Sequence, residues 1–270
     1  MFVDLDLARR LEAAEAAKYA AYAHARPCVM PEVNPAVFTV AGGVAAYAGP
    51  DSPYNRGVGM GLHGPVSEAE FGRMEEFFAN YDVTPQVSLC PLADRSLLSH
   101  LGRHGYGVDM FMHTWIREIG PAEDFHLPKG IIICPASYDE ANLWIRVAFK
   151  GGLDSEEAEP GRSAVIAAYP YMAHTTCYLA WIEGEAAGAG TLSVAEGLAE
   201  IFGASTRPSF RNRGVQTALL AGRLAEAQRL GCDLAIVHTE PGSASQRNVE
   251  RMGFRLAYTK VHLVKTTEDT

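Results

Sequence analysis

Arg211-Asn212-Arg213-Gly214-Val215-Gln216 lies between an apolar run, Leu198 to Thr206, and a stripe formed by Val215, Leu219, Leu220, Leu224 and Ala227. The run reads as a strand, and the stripe repeats with helical spacing. A helix amino end offers unpaired N–H groups and a partial positive charge, so it attracts phosphate oxygens. Gly214 lets the backbone approach such oxygens without a Cβ. Arg207, Arg211 and Arg213 add cations, and no Asp or Glu occurs between Glu200 and Glu226. This strand–loop–helix stretch therefore suits a diphosphate; taken alone, a solvated arginine loop is the alternative. Neither a G-x-x-x-x-G-K-[ST] loop nor a G-x-G-x-x-G between strand and helix is present here. Gly57-Val58-Gly59-Met60-Gly61 is glycine-rich, but Pro65 and an acidic helix follow it.

A second stretch follows downstream. Leu234 to His238 reads as a short buried strand, broken by Pro241-Gly242, and Ser243 or Ser245 supplies a helix cap. The helix, about Ala244 to Met252, ends at Gly253 before Phe254, and Arg255 to Val264 reads as a last strand.

The order strand, R-x-x-G-x-(G/A), helix, strand, S-x-R-N-x-E-R-x-G-F, strand resembles the GNAT superfamily of acyl-CoA-dependent N-acetyltransferases. The resemblance runs from about Lys129 to Lys265 and rests on Arg211, Gly214, Asn248 and Gly253-Phe254. Gln216 departs from the small residue usual at the end of the first motif. The resemblance implies acetyl-CoA as cofactor. Arg211, Asn212, Arg213, Gly214, Val215, Gln216 and Thr217 would take its pyrophosphate. The strand end Ala204, Ser205 and Thr206 would pair with its arm through backbone groups, and Asn248 would bond the same arm. Glu200 matches the glutamate that, in the histone-acetylating branch, deprotonates the amine through water; a solvent-facing strand glutamate is the alternative. Many members carry a proton-donating tyrosine where this chain has Val249, so Tyr258, His238 or a water is left for that role.

The amino half echoes the carboxyl half. The same interval separates Cys90 from Gly105 and His238 from Gly253, each time through a Pro-containing turn and a helix. No R-x-x-G-x-(G/A) occurs in the matching place of the amino half; His63-Gly64-Pro65-Val66-Ser67-Glu68 stands there instead, and its glutamate would oppose a diphosphate. The expected fold is therefore α/β (α+β): two GNAT-like domains, each a mixed, mostly antiparallel central sheet flanked by helices. The first, residues 1–120, is degenerate; 121–129, with Pro121 and Pro128, is a linker; 130–266 is catalytic. Within them, helices are expected from Leu5 to His24, Ser67 to Asn80, Asp94 to Arg103 and Tyr138 to Phe149. An acidic loop, Gly151 to Gly161, and a further helix, Ser163 to Tyr169, come next. Strands are expected at Val37 to Tyr47, Val58 to Leu62, Gln86 to Cys90, Val108 to Arg117, Ile131 to Cys134, Thr176 to Glu183 and Ala186 to Val194.

Composition narrows the function. Of 270 residues, 48% are hydrophobic, enough for a buried core. No apolar run reaches the roughly 20 residues of a membrane span, and the amino terminus has no basic region of a signal peptide. A net charge of −9 speaks against a nucleic-acid surface. Cys28, Cys90, Cys134, Cys177 and Cys232 are scattered without a C-x-x-C pair, which indicates a reducing, cytoplasmic setting and no metal. The leading expectation is an N-acetyltransferase acting on a small-molecule amine, as monomer or homodimer. A non-catalytic acyl-CoA-binding module and a protein-lysine acetyltransferase are the alternatives.

Overall fold

Asp4 starts the first helix by accepting the backbone N–H of Leu7 at 2.9 Å, the capping bond that an amino-terminal turn needs. The structure, a computed structural model, describes residues 2–151 and 165–266. The expected acidic loop, apart from Gly151, and the start of the helix expected at Ser163 lie outside the described residues. The chain forms two compact units: residues 1–114 with 256–270, and residues 115–255. The closing strand, which the sequence attaches to the second domain, thus groups with the first.

In the first unit, α1 (Leu5–Ala25) is followed by β1 (Ala36–Val40), β2 (Gly43–Tyr47) and β3 (Arg56–Val58). Then come α2 (Glu68–Ala79), β4 (Gln86–Leu89), α3 (Arg95–Arg103) and β5 (Tyr106–Glu118), whose end enters the second unit. The closing strand, β11 (Arg255–Lys265), pairs antiparallel with β4. Antiparallel pairing joins β1 to β2 and β2 to β3, whereas β3 meets β4 in parallel. The run Val37 to Tyr47 is therefore a hairpin and not one strand. Ala41 and Gly42 both take positive φ, 51° and 78°, as a two-residue hairpin turn requires. Helix α2 begins with a capping box in which Ser67 and Glu70 satisfy each other's backbone N–H.

A polar group is buried in this unit. Lys260 of β11 bonds Glu12 at 2.7 Å and also Glu15, both on α1, and the Tyr258 hydroxyl donates to Glu12 at 2.8 Å. Burial lifts the Glu12 carboxyl above the ordinary carboxylate range; Lys260 opposes this and Glu15 adds to it. One ammonium facing two carboxylates leaves a surplus negative charge, which such a site relieves by holding a proton.

The second unit contains β6 (Ile132–Pro135), α4 (Ala141–Gly151), β7 (Thr175–Ile182), β8 (Glu185–Ala195) and β9 (Leu198–Thr206), then α5 (Val215–Arg229), β10 (Leu234–Thr239) and α6 (Ala244–Arg251). Its strand order is β10-β9-β8-β7-β6, antiparallel except between β9 and β10. Each unit thus runs three antiparallel strands, a helix, a strand parallel to the third, and another helix. Both are mixed, mostly antiparallel sheets with helices against them. The core of the second unit gathers Ile201, Val215, Leu219, Leu224, Val237, Val249 and Phe254, the apolar face of α5 against the sheet. Among the described residues no helix is long and apolar enough to cross a membrane. None of the five cysteines forms a disulfide among the described residues.

Candidate functional site

Strands β9 and β10 are paired only at their starts: Leu234 with Leu198, Ala235 with Ala199, Ile236 with Glu200. Beyond that point β9 is bent. Ser205 faces Ala189, but Phe202 faces Thr191, so β9 carries one extra residue around Gly203 and Ala204. This is a β-bulge, which kinks a strand and turns it from its neighbour. Gly203 permits it twice over. Its φ is +60°, and a Cβ there would stand 2.9 Å from both Thr191 Oγ1 and the Tyr169 ring. Arg223 of α5 holds the bulge from below, donating through Nη1 to the carbonyls of Thr191 at 3.0 Å and Phe202 at 3.2 Å. Its Nε reaches Leu219 O at 2.8 Å. Complete burial pulls the Arg223 guanidinium down to about 9, still above neutral pH, so it stays charged.

The divergence opens a cavity of about 390 Å³. Ile201 to Ala204 line it from β9, Val237 and His238 from β10, Gln216, Leu220 and Arg223 from α5, and Ala244, Ser245, Asn248 and Val249 from α6. A second cavity, about 450 Å³, lies at the amino end of α5 and shares Gln216, Ala244 and Asn248 with the first. It is lined by Thr206, Phe210, Arg211, Asn212, Gly214, Val215 and Thr217, and from α6 also by Arg247 and Arg251. Among the described residues, three guanidinium groups and no carboxylate line this cavity, which gives it a positive potential. Gly214 is the cap residue of α5 at φ +84°, with no side chain bonded to the helix's first amides among the described residues. A Cβ on Gly214 would lie at ordinary contact distance from Pro128, 3.5 Å, so the glycine is required by its left-handed dihedral and not by crowding.

Most of the residues expected from sequence meet here. Arg211, Asn212, Gly214, Val215, Gln216, Thr217 and Thr206 surround the arginine-lined cavity, Ala204 the slot, and Asn248 both. Gln216, the departure from the motif, folds back to donate to Thr206 Oγ1 at 2.7 Å. Ser205 turns the other way and donates to Val147 O at 3.4 Å. Arg213 stacks over Phe210, 5.3 Å from the ring centre, and lines neither cavity. Tyr258 also lines neither; it belongs to the first unit, where its hydroxyl is committed to Glu12 and burial pushes it far above the usual phenol range. Such a hydroxyl is a poor proton donor, so the contacts give no support to an acid role for Tyr258.

Glu200 is 3% exposed and does not itself reach the slot. Its Oε1 lies 3.5 Å from Nε2 of His238, which does. Arg223, Arg247, Arg251 and Gly203 are the contributors that sequence reasoning passed over. Arg247 and Arg251 had a readable signal, since a spacing of four places two side chains on one helix face. Arg223 had a weaker one, a cation inside the apolar stripe of α5.

The sequence profile of the Acetyltransferase (GNAT) family matches residues 144–254. No curated protein sequence matches the chain. Among solved structures, a GCN5-related N-acetyltransferase from Kribbella flavida superposes with a TM-score of 0.65 at 20% identity, covering 93% of this chain and 96% of that one. A GCN5-related N-acetyltransferase from Sphaerobacter thermophilus gives 0.53 at 15% identity, over 73% and 65% of the two chains. A tandem GNAT protein from the clavulanic acid biosynthesis pathway gives 0.54 at 12%, over 74% and 70%. These likenesses establish the fold, and the profile match places the family's domain over the diverging strands and the arginine-rich helix end. Residues 144–254 thus carry a domain that matches the Acetyltransferase (GNAT) family, within a fold shared with GNAT proteins.

Proposed function

We propose that the second unit is an acetyl-CoA-dependent N-acetyltransferase whose acceptor is a primary amine of a small molecule. The observation that carries this reading is a pair of cavities that share lining residues: an arginine-rich pocket at a helix amino end, and a slot between β9 and β10 with both apolar and polar walls. A ligand with a diphosphate at one end and a slender arm at the other suits both. The amides at the start of α5 with Arg211, Arg247 and Arg251 would hold the diphosphate. The backbone of Ile201 to Ala204 and the side chain of Asn248 would hold the arm. GNAT proteins use acetyl-CoA, which supplies an acetyl group already activated as a thioester.

The chain's own residues then have three tasks. Apolar side chains of Ile201, Leu220, Val237 and Val249 would pack against the arm and displace water from it. The acceptor nitrogen must lose a proton as its bond to carbon forms. His238 faces the slot and would take that proton, while Glu200 behind it orients the ring and neutralises the charge it acquires. In this reading Glu200 is not the base that the resemblance implies; it acts on the base, His238, from behind. No side-chain acid is needed at Val249, because a thiolate is a stable enough leaving group near neutral pH. The chain's net charge of −9 favours a cationic amine as visitor.

The test is calorimetry with CoA combined with acetyl transfer to a panel of small amines and to a lysine peptide. Micromolar CoA binding with turnover on a small amine supports the proposal. Binding without turnover favours the second reading, an acyl-CoA-binding module, for which Val249 at the usual tyrosine position speaks. Absence of CoA binding defeats both.

A further inference from the structure

Glu68, His100 and His104 lie in the first unit and bring one ligand atom each within 4.8 Å of one another. Glu68 is the first residue of α2; His100 sits in the last turn of α3, and His104 is its cap residue four positions on. A spacing of four stacks both imidazoles on one side of the helix. Glu68 Oε1 lies 2.7 Å from His104 Nε2, and Oε2 lies 3.1 Å from His100 Nδ1.

The remote ring nitrogens determine what these short contacts mean. His100 Nε2 lies 2.8 Å from the carbonyl oxygen of Val66, which can only accept, so Nε2 carries the hydrogen. His104 Nδ1 lies 3.0 Å from Glu75 Oε2. The Glu75 carboxylate already accepts from Lys265 at 2.8 Å and Tyr106 at 3.2 Å, so it too accepts from the histidine. In the neutral rings, Nδ1 of His100 and Nε2 of His104 are therefore lone pairs turned towards a carboxylate. Lone pair against lone pair at 2.7 Å is repulsive unless a proton or a cation lies between them. Metal-bound histidines characteristically donate their other nitrogen to a carbonyl or carboxylate, as both do here.

We infer that Glu68, His100 and His104 form a binding site for a divalent cation of the zinc type. Two imidazoles and a carboxylate are the borderline donor set that zinc accepts, and a zinc site with three protein ligands leaves its fourth place to water. The Glu68 side chain is 58% exposed and that of His104 25%, so the fourth place is reachable from solvent. Arg103 now serves as the positive neighbour, its Nη2 donating to His100 Nδ1 at 2.8 Å and standing 3.1 Å from Glu68. Its side chain is 62% exposed and swings into water at little cost. The lack of a C-x-x-C pair speaks against thiolate ligands and leaves imidazole and carboxylate ligands open. The helix equivalent in element order to α5 starts with Ser67-Glu68 where α5 starts with Gly214-Val215, so this helix presents a carboxylate where the other presents bare amides.

The test titrates the chelator-treated full chain with zinc chloride and cobalt(II) chloride, following bound metal, thermal midpoint and visible absorption. One zinc ion per chain at micromolar affinity, a raised midpoint, and cobalt bands without thiolate charge transfer are expected. Glu68→Gln and His104→Gln should each weaken binding at least tenfold, and Glu75→Gln about tenfold through loss of the outer bond. Arg103→Gln, which removes the competing cation and no ligand, should tighten it. No binding up to about 0.1 mM zinc, where affinity would be negligible, overturns the inference. So do thiolate bands, affinity unchanged in Glu68→Gln, or Arg103→Gln binding no more tightly than the parent.

Discussion

Glu200 and His238 stand on adjacent parallel strands with Oε1 and Nε2 3.5 Å apart. The ladder explains the meeting. Glu200 pairs with Ile236, and His238 lies two residues further along β10, on the same face of the sheet. A buried carboxylate behind a cavity-lining imidazole is an arrangement that handles protons. Glu200→Gln and His238→Gln should each lower turnover by roughly 10²–10⁴-fold, the usual share of a general base. CoA affinity should stay within about twofold, since neither residue holds the diphosphate. Steady-state kinetics beside calorimetry checks this, and because the pair would act as a unit, the double variant should be little worse than the poorer single.

Arg247 and Arg251 carry a different expectation. Alanine at either should weaken CoA binding roughly tenfold, within the range for one charge-assisted hydrogen bond, and leave the rate at saturating cofactor nearly unchanged. Raising the salt should shrink the difference from the parent, because these contacts are partly open to solvent. Gly214→Glu should abolish binding, through its φ of +84° and through the added negative charge.

The bulge at Gly203 can be probed by stability. Gly203→Val forces a β-branched residue into φ +60° and against Thr191 and Tyr169. A loss of about 1–3 kcal/mol is expected from strain alone, with transfer activity falling alongside as β9 straightens. Gly72→Ala is the control. It lies inside α2 with nothing within 4 Å of the added Cβ, and it should gain roughly 0.5–1 kcal/mol from helix propensity. Urea unfolding of the three proteins measures both changes.

Alkali should unfold the protein through its buried acids. Burial pushes the thiols of Cys90 and Cys177 up to about 12 from an ordinary value near 9. The folded state therefore binds more protons than the unfolded chain between about pH 9 and 12, and stability falls as pH rises through that window. Below pH 9 the contribution is fully present. The buried Tyr178 hydroxyl, pushed up to about 12, acts in the same direction from about pH 10. Arg223, pulled down to about 9, acts oppositely but is a single group. Cys177→Ala should flatten the decline, measured as the urea midpoint against pH.

Much of the fold was legible because its causes are local. Asp4, Ser67 and Ser243 cap helices through bonds to residues three positions away, and such contacts are written in neighbouring letters. The turn Glu183-Gly184 takes positive φ at both residues, 52° and 81°, for the same reason. The hairpin at Ala41-Gly42 was missed because an alanine in the left-handed region has no strong signature, and the apolar letters run through it unbroken. Ser205 and Arg213 sit inside the right stretch but line neither cavity: strand alternation and the bulge turn Ser205 to Val147, and Arg213, in the turn before α5, lies over the Phe210 ring.

The chain's letters, taken in order, determined the element types, the positively charged loop ahead of α5 and the doubling of the pattern, because capping, turn geometry and hydrophobic period act over a few residues. Tertiary structure alone decided that β9 leaves β10 after Glu200, that Arg223 braces the bend, that Arg251 joins Arg211 around one cavity, and that Glu68 meets His100 and His104. These juxtapositions join residues far apart in the chain, and only the packing of sheets and helices into one low-energy arrangement brings them within reach of one another.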